Sequence, residues 1–238
     1  MPYYKKELYL EQSIKSILNQ TYQNFEIILI NDDSENKNFI NKISQLDHRI
    51  KLVHNKNNLG AGLSRNKGLE LSNGEYIAFC DCDDLWKNNK IELQLECMKR
   101  LNFTFSFTSY DIIDENNNFI KCRTAPSYVD FQKLRKSCDI GLSTVMLNKR
   151  ILFNQKFPNI KTKEDYVLWL KLTKKNIKIS GINIRLTKWR KLTDALSSNN
   201  IQKIIDGFRV YNTYMKFNYF KSFIYLIKLS INSILKKI

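Results

Sequence analysis

Glycine and proline are scarce in this 238-residue chain, at 7 and 3. That scarcity excludes collagen-like and low-complexity readings and leaves little material for long flexible linkers. No internal repeat is visible. The five cysteines (Cys80, Cys82, Cys97, Cys122, Cys138) contain no CxxC pair. An odd number in a chain this long argues against a disulfide framework and for a reducing compartment. No apolar run reaches the roughly 20 residues that a membrane-crossing helix needs. The opening Met1-Pro2-Tyr3-Tyr4-Lys5-Lys6 is polar and unlike a secretory signal. The expected location is therefore cytoplasmic.

Acidic residues are also few, 23 against 39 lysines and arginines, for a net charge of +16. Such an excess favours anionic partners, whether nucleic acid, phosphorylated substrates or an acidic membrane surface. Abundant Lys, Asn and Ile make part of that charge a matter of composition. The sequence carries no recognisable recognition helix, zinc finger or RNA-binding sheet motif, so nucleic acid is not the expected partner. With 43% hydrophobic and 26% charged residues, the chain has the make-up of a folded soluble protein. Its length fits one domain, or one with a small appendage.

Leu10, Ile14, Ile17 and Leu18 share one helical stripe and predict an amphipathic helix over 7–20. The nearly continuous apolar run at 25–30 predicts a strand buried on both faces. A helix around Phe39–Leu46, a strand over 50–54, a loop from Asn55 to Gly62, a helix to about 72 and a strand over 76–80 follow. This alternation implies βαβ units around a mostly parallel sheet. After a helix over 89–100, Phe103, Phe105 and Phe107 alternate with Thr104, Ser106 and Thr108, which predicts a strand with one polar face. Residues 110–114 and 118–122 read as a hairpin, 164–175 as a helix, 184–190 as a strand, and 201 onward as helices. The predicted fold class is α/β: a mostly parallel sheet flanked by helices, with a small antiparallel element and a helical C-terminal tail.

Ligands of open α/β sheets bind at the carboxyl ends of the strands. Two acidic clusters fall there: Asp32-Asp33 after the strand at 25–30, and Asp81-x-Asp83-Asp84 after the strand at 76–80. Carboxylates so close repel unless a cation neutralises them. Asp83 and Asp81 could therefore hold Mg²⁺ or Mn²⁺, hard ions that prefer oxygen ligands. The competing account is that the second cluster only caps the helix that follows. Glu164-Asp165 precedes an apolar helical stretch. A carboxylate there can take the proton of a sugar hydroxyl as it attacks, or can merely complement the helix dipole.

Taken in order, the segments resemble glycosyltransferase family 2, the large inverting family with the GT-A fold, of the kind that builds bacterial cell-surface glycans. The matching residues are Pro2–Lys6, Ser16–Tyr22, Phe25–Ser34, Asn58-Leu59-Gly60, Ser64–Gly68, Gly74–Phe79, Asp81–Trp86 and Glu164-Asp165-Tyr166, within roughly residues 2–190. The resemblance implies a DxD enzyme that transfers a sugar from a nucleotide diphosphate, usually of uridine, to an acceptor hydroxyl with inversion. It implies Mn²⁺ or Mg²⁺ held by Asp83 with Asp81, and Asp165 as the catalytic base, with Glu164 the alternative. On the donor side it implies Asp32, Pro2 and Tyr3 near the base, Arg65 by the phosphates, Asp81 near the ribose, Asp84 toward the donor sugar, and Arg190 (in Trp189-Arg190) beside the diphosphate. Asn31 and Asp33 stand where Asp and Gly are more usual. The QxxRW motif of processive synthases is absent, which favours transfer of one sugar per binding event.

Family members usually begin with a short apolar strand just ahead of the segment matching Pro2–Lys6, and here Met1 sits where it should end. The expected organisation is a GT-A catalytic domain over 1–195, its first strand apparently missing, and a helical extension over 196–238. In that extension Ile224, Ile227, Ile231, Ile234 and Leu235 lie near one helical face, with Lys216, Lys221, Lys228, Lys236 and Lys237 around them. A basic amphipathic helix can rest on an anionic membrane, where lipid-linked saccharide acceptors are found. Peripheral contact with the inner face of the cytoplasmic membrane is thus expected. The alternative is a helix packed on the catalytic domain with solvated lysines.

Overall fold

The computed structural model describes residues 1–35, 37–193 and 200–235. A short first strand, β1 (Pro2–Tyr3), leads into helix α1 (Glu7–Leu18), then β2 (Ile27–Asn31), α2 (Lys37–Ser44), β3 (Ile50–His54), α3 (Ala61–Leu71) and β4 (Tyr76–Ala78). Next come β5 (Leu85–Trp86), α4 (Lys90–Arg100), β6 (Phe105–Ile113), β7 (Phe119–Arg123), β8 (Tyr128–Val129) and the single turn α5 (Phe131–Leu134). β9 (Met146–Asn148), α6 (Glu164–Lys174) and β10 (Ile179–Arg190) complete the sheets. α7 (Asn200–Arg209), a π-helical turn at Val210–Tyr214 and α8 (Tyr219–Leu235) follow.

The strands fall into two groups. β1, β2 and β3 form a parallel three-stranded sheet, with β2 in register from Ile27↔Ile50 to Asn31↔His54. The second sheet runs β4-β9-β6-β10-β5, with β7 on β6 and β8 on β10. Its centre is the long parallel pair β6 and β10, and the remaining pairings are antiparallel. Both helix–strand alternations of the first third stand as the periodicity predicts.

Two corrections concern the middle of the chain. The segment predicted as a strand followed by a separate hairpin arm is one strand, β6, paired antiparallel with β7. Its polar residues do not face water: every residue from Phe105 to Ser109 is buried. Phe105 and Phe107 enter the apolar core, Ser106 and Thr108 on the opposite face are buried as well, and the two serines of this stretch are hydrogen-bonded. The Ser106 hydroxyl accepts from Gln94 Nε2 at 3.0 Å, and that of Ser109 donates to Asn183 Oδ1 at 2.9 Å. Period-2 alternation reports two different faces, and it does not report which face is wet. Short β9, between β4 and β6, carried no pattern in the sequence.

The C-terminal helices are part of the main core. Val210, Tyr211, Met215, Tyr225 and Leu229 cluster with Phe105, Phe107 and Trp169. Tyr166 on α6 shares a hydroxyl–hydroxyl hydrogen bond of 2.9 Å with Tyr211. Asp206 on α7, fully buried, accepts from the backbone amide and the hydroxyl of Thr162, both at 3.0 Å. α8 packs inward through Ser222, Tyr225, Leu226 and Leu229. Ile227, Ile231, Ile234 and Leu235 of the predicted apolar stripe are exposed, with Ile224 half-buried. Lys236 and Lys237 lie outside the described residues. No described helix is long and apolar enough to cross a membrane.

Candidate functional site

β2 and β4 deliver the two acidic clusters to the same end of the molecule, and α3 ties them together. Gly60, at φ +84°, opens α3 in a left-handed backbone that favours glycine. That turn lets Asp32 accept from the amides of Leu59 and Gly60, each at 2.8 Å, and from Asn55 Nδ2 at 2.7 Å. Asp32 therefore clamps the loop that precedes α3. Beside it, Asn31 Oδ1 accepts from the Asp33 amide at 2.9 Å, an Asx-type turn that replaces the more usual glycine geometry.

One turn into α3, Gly62 permits a close approach. A Cβ there would meet the carbonyl oxygen of Pro158 at 2.9 Å and the Glu164 side chain at 3.2 Å. This contact seats Arg65 against the start of α6. Its guanidinium donates to Asp81 Oδ1 at 2.6 Å and to Glu164 Oε1 at 2.5 Å, with its side chain 6% exposed. Burial alone would lower the Arg65 pKa, but the Asp81 and Glu164 charges outweigh it and hold the group above its ordinary value. The chain Asp81–Arg65–Glu164 thus joins the end of β4 to the N-terminus of α6.

Lys163, in a left-handed conformation at φ 65°, turns the chain into α6. Asp165 follows, partly exposed, with Oδ1 accepting from the Tyr166 amide at 2.7 Å. Burial raises its pKa to about 7, the neighbouring Glu164 charge adds to the rise, and Arg65 opposes it. Asp83 is pushed up to about 6, by burial first and then by Asp81. Asp81 acts on both acids, so Asp83 and Asp165 share one electrostatic neighbourhood.

Asp84 and Arg190 are committed inside the protein. Asp84 accepts from Ser143 Oγ at 2.5 Å and from the Arg190 amide at 2.9 Å, and burial holds its pKa well above the usual carboxylate value. The Arg190 side chain donates to the carbonyl oxygens of Asp83 (2.8 Å), Asp114 and Glu115 and to Gln12 Oε1, and it lies over the Tyr9 ring. Both residues fix the Asp81–Asp84 loop. Ser13 adds to this frame, donating to the Asp84 carbonyl at 2.6 Å, and the Ser143 hydroxyl accepts from the Asp81 amide at 3.0 Å. Neither serine stands in a pattern that sequence reasoning could use, because each lies 59 or more positions from its partner. Pro2 and Tyr3 sit on β1, paired with Ile30 and Asn31 beside Asp32.

The donor set suits a hard divalent cation. Asp81 and Asp83 offer carboxylate oxygens only, and Asp83 carries a desolvated charge that no basic side chain pairs with directly among the described ion pairs. No cluster of three or more His, Cys, Asp or Glu gathers among the described residues. Two carboxylates fit an ion such as Mg²⁺ that fills its remaining positions with water and phosphate oxygens.

The strand-end acidic loop and the buried arginine bridge sit on an α/β framework of the GT-A type. Solved structures agree on the fold. TarS of S. aureus, in complex with UDP-GlcNAc, superposes with a TM-score of 0.73 at 18% identity over 94% of this chain and 68% of that one. The mannosyltransferase PcManGT of Pyrobaculum calidifontis, in complex with GDP-Man and Mn²⁺, gives 0.69 at 12% identity over the same shares. The Glycosyl transferase family 2 profile matches residues 1–160, and the chain belongs to that family. Two Escherichia coli relatives, WfgD and WfaP, are UDP-Glc:alpha-D-GlcNAc-diphosphoundecaprenol beta-1,3-glucosyltransferases. WfgD is 38% identical over 86% of this chain and 80% of its own length, and WfaP is 35% identical over 81% and 76%. The protein is a glycosyltransferase.

Proposed function

We propose that this enzyme transfers a sugar from a UDP-linked donor to a hydroxyl of a lipid-linked saccharide, with inversion, in cell-surface polysaccharide or lipopolysaccharide synthesis. The observation that carries the reading is the buried Asp81–Arg65–Glu164 bridge, which sets a strand-end carboxylate loop beside an acid whose pKa lies near 7. The activities of the two Escherichia coli relatives support the choice of uridine and of a lipid diphosphate acceptor.

In this mechanism Asp165 accepts the acceptor hydroxyl's proton as attack develops, which a carboxylate titrating near neutrality does efficiently. Glu164 is held by Arg65 and is the poorer base. Attack from the face opposite the leaving group inverts the anomeric centre. Asp83, with Asp81, would hold Mn²⁺ or Mg²⁺, which when bound offsets charge on the departing diphosphate. Arg65 contributes a fixed positive charge on the same side. Pro2, Tyr3 and Asp32 form the nucleotide side, Asp32 through the Asn55–Gly60 loop it clamps. Asp84 and Arg190 act as positioning residues of the DxD loop.

Asp83→Asn tests the metal assignment. The expected result is a fall of roughly 100-fold in kcat, with a higher Mn²⁺ concentration needed for half-maximal transfer. Turnover at the parent rate with the parent's Mn²⁺ dependence would refute the assignment.

The proposed division of labour places the chemistry in 1–195 and acceptor-membrane contact in 196–238. Along α8, Tyr219 and Phe220 are more than three-quarters exposed, and Phe223, Ile227 and Ile231 continue the exposed apolar face. Lys221 and Lys228 stand among them. An exposed apolar-aromatic face with lysines beside it suits an anionic lipid surface. Co-sedimentation with phosphatidylglycerol vesicles is expected, and with phosphatidylcholine vesicles it should be weak. Each lysine near such a surface contributes about 1 kcal/mol, so the Lys221→Ala/Lys228→Ala double variant should bind roughly 30-fold more weakly. Equal binding to both lipids, or no effect of the substitutions, would exclude this role.

A further inference from the structure

The turn that follows α5 is held by three elements at once. The Leu134 carbonyl accepts from the Tyr166 hydroxyl of α6 at 2.7 Å, the Arg135 carbonyl from the Tyr211 hydroxyl at 2.9 Å, and the Lys136 carbonyl from Asn232 Nδ2 of α8 at 3.0 Å. Backbone groups satisfied in this way make the turn a fixed platform. Asn232 stands four positions after Lys228, on the same face of α8. The helix therefore brings Lys228 to the platform as well.

Three cations gather there without a counter-charge. The Arg135 guanidinium lies 5.0 Å from the centre of the Tyr225 ring, and Lys228 Nζ lies 5.5 Å from the same centre. That puts the two within roughly 10 Å of each other, about one Debye length at 0.1 M salt, where like charges still repel. Lys136 is exposed on the same turn. The described ion pairs include none of the three. The Arg135 guanidinium donates to no described acceptor, and its Nε is buried without a partner. Asp130 caps α5 through the Lys133 amide at 2.8 Å, and Asp139 lies toward Tyr110 and Cys138. A ring face attracts a cation, but it leaves the positive charge of the cluster uncompensated.

The platform lies between two parts of the proposed reaction. On one side is the exposed apolar face of α8, with Ile227 adjacent to Lys228. On the other, Cys138 follows Arg135 by three residues, at most about 10 Å of chain, and lies beside Asp165. Burial raises the Cys138 thiol to about 12, and the Asp165 charge adds to that rise. We infer that Arg135, Lys136 and Lys228 form the site for the diphosphate of the acceptor lipid, which rests on the proposed transfer to a lipid-linked saccharide. A diphosphate presents several charged oxygens, and these suit a guanidinium fork flanked by ammoniums. Seated there, it leaves the lipid chain along α8 and directs the first sugar toward Asp165. A phospholipid headgroup offers the same phosphate chemistry, so the test separates the two sources.

The full chain is titrated with farnesyl diphosphate while UDP and Mn²⁺ saturate the donor side, with farnesol and phosphatidylglycerol vesicles as controls. The parent should bind farnesyl diphosphate at least about tenfold more tightly than farnesol. Arg135→Gln/Lys136→Ala should lose that preference, while its UDP affinity and vesicle binding stay within about threefold of the parent's. Lys136→Ala alone, which changes only an exposed side chain, should weaken farnesyl diphosphate binding roughly threefold and serves if Arg135→Gln disturbs the fold. Equal binding by parent and variants would overturn the inference. A loss of vesicle binding as large as the loss of farnesyl diphosphate binding would also overturn it, because it assigns the cations to a headgroup. A double variant with a lower Tm and unchanged diphosphate binding would reduce the cluster to packing. UDP binding with Mn²⁺, measured first, tests the donor assignment on its own, so the two failures are distinguishable.

Discussion

Asp165→Asn should lower kcat by about 10²–10⁴-fold, the usual contribution of a positioned general base, while UDP affinity stays within about threefold of the parent's. Asparagine keeps the shape and the contact with the Tyr166 amide but cannot take a proton, so the loss belongs in kcat. The parent's kcat/KM should rise with pH through about 7, as Asp165 ionises. The sign for stability is opposite. The folded-state pKa of Asp165 lies above the unfolded carboxylate value, so the native state holds the proton more tightly between about pH 4 and 7. The contribution of this group to stability is fully present below pH 4 and is lost as the pH rises through 7. Asp165→Asn should therefore have a Tm at pH 8 no lower than the parent's. A folded variant that turns over at the parent kcat would remove Asp165 from the mechanism.

Arg65→Ala should be the most destabilising substitution in the site. It leaves Glu164, and Asp81 behind it, without their shared counter-ion, and breaking a buried ion pair from one side costs about 3–5 kcal/mol. For a chain of this size that corresponds to a Tm lower by roughly 10 °C. Asp165 should also change, because the charge that opposes its rise is gone. The rising limb of the pH–rate profile should shift above that of the parent. Arg65→Lys tests whether charge alone suffices. A single ammonium cannot reproduce two divergent bonds of 2.6 and 2.5 Å, so it should recover part of the stability and little of the rate. A Tm within 2 °C of the parent for Arg65→Ala would mean that the bridge does not hold α3 to α6.

The first third of the fold was legible because each element had its own local signal. The apolar run at 25–30 and the stripe through Leu10, Ile14 and Ile17 name a strand and a helix without reference to anything else. The acidic strand ends were legible too, since position after a buried strand carries meaning in α/β sheets. The partnerships were not. Arg65 meets Glu164 across 99 positions and Arg190 reaches Asp84 across 106, and no spacing rule spans such distances. The resemblance places Arg65 by the phosphates, and only the structure adds its two ion pairs with protein carboxylates. The same holds for Asp84 and Arg190, whose hydrogen bonds to Ser143 and to the Asp81–Asp84 loop no spacing announces. β6 illustrates a different limit: Ser106 and Thr108 look solvent-bound in the alternation, yet both are buried, Ser106 bonded by Gln94.

The grip of Asp206 on Thr162 makes residues 200–235 a brace for the Asp165 turn rather than a tail behind it. Thr162 lies three positions before Asp165, and the same helices supply Tyr211 to Tyr166 one position after it. Cutting the chain near residue 195 would not yield a trimmed enzyme. It would strip five side chains from the main core, leave an amide and a hydroxyl at Thr162 without their acceptor, and loosen the turn that aims the carboxylate. Whatever surface α8 settles on is thus wired mechanically to the carboxylate proposed to take the proton.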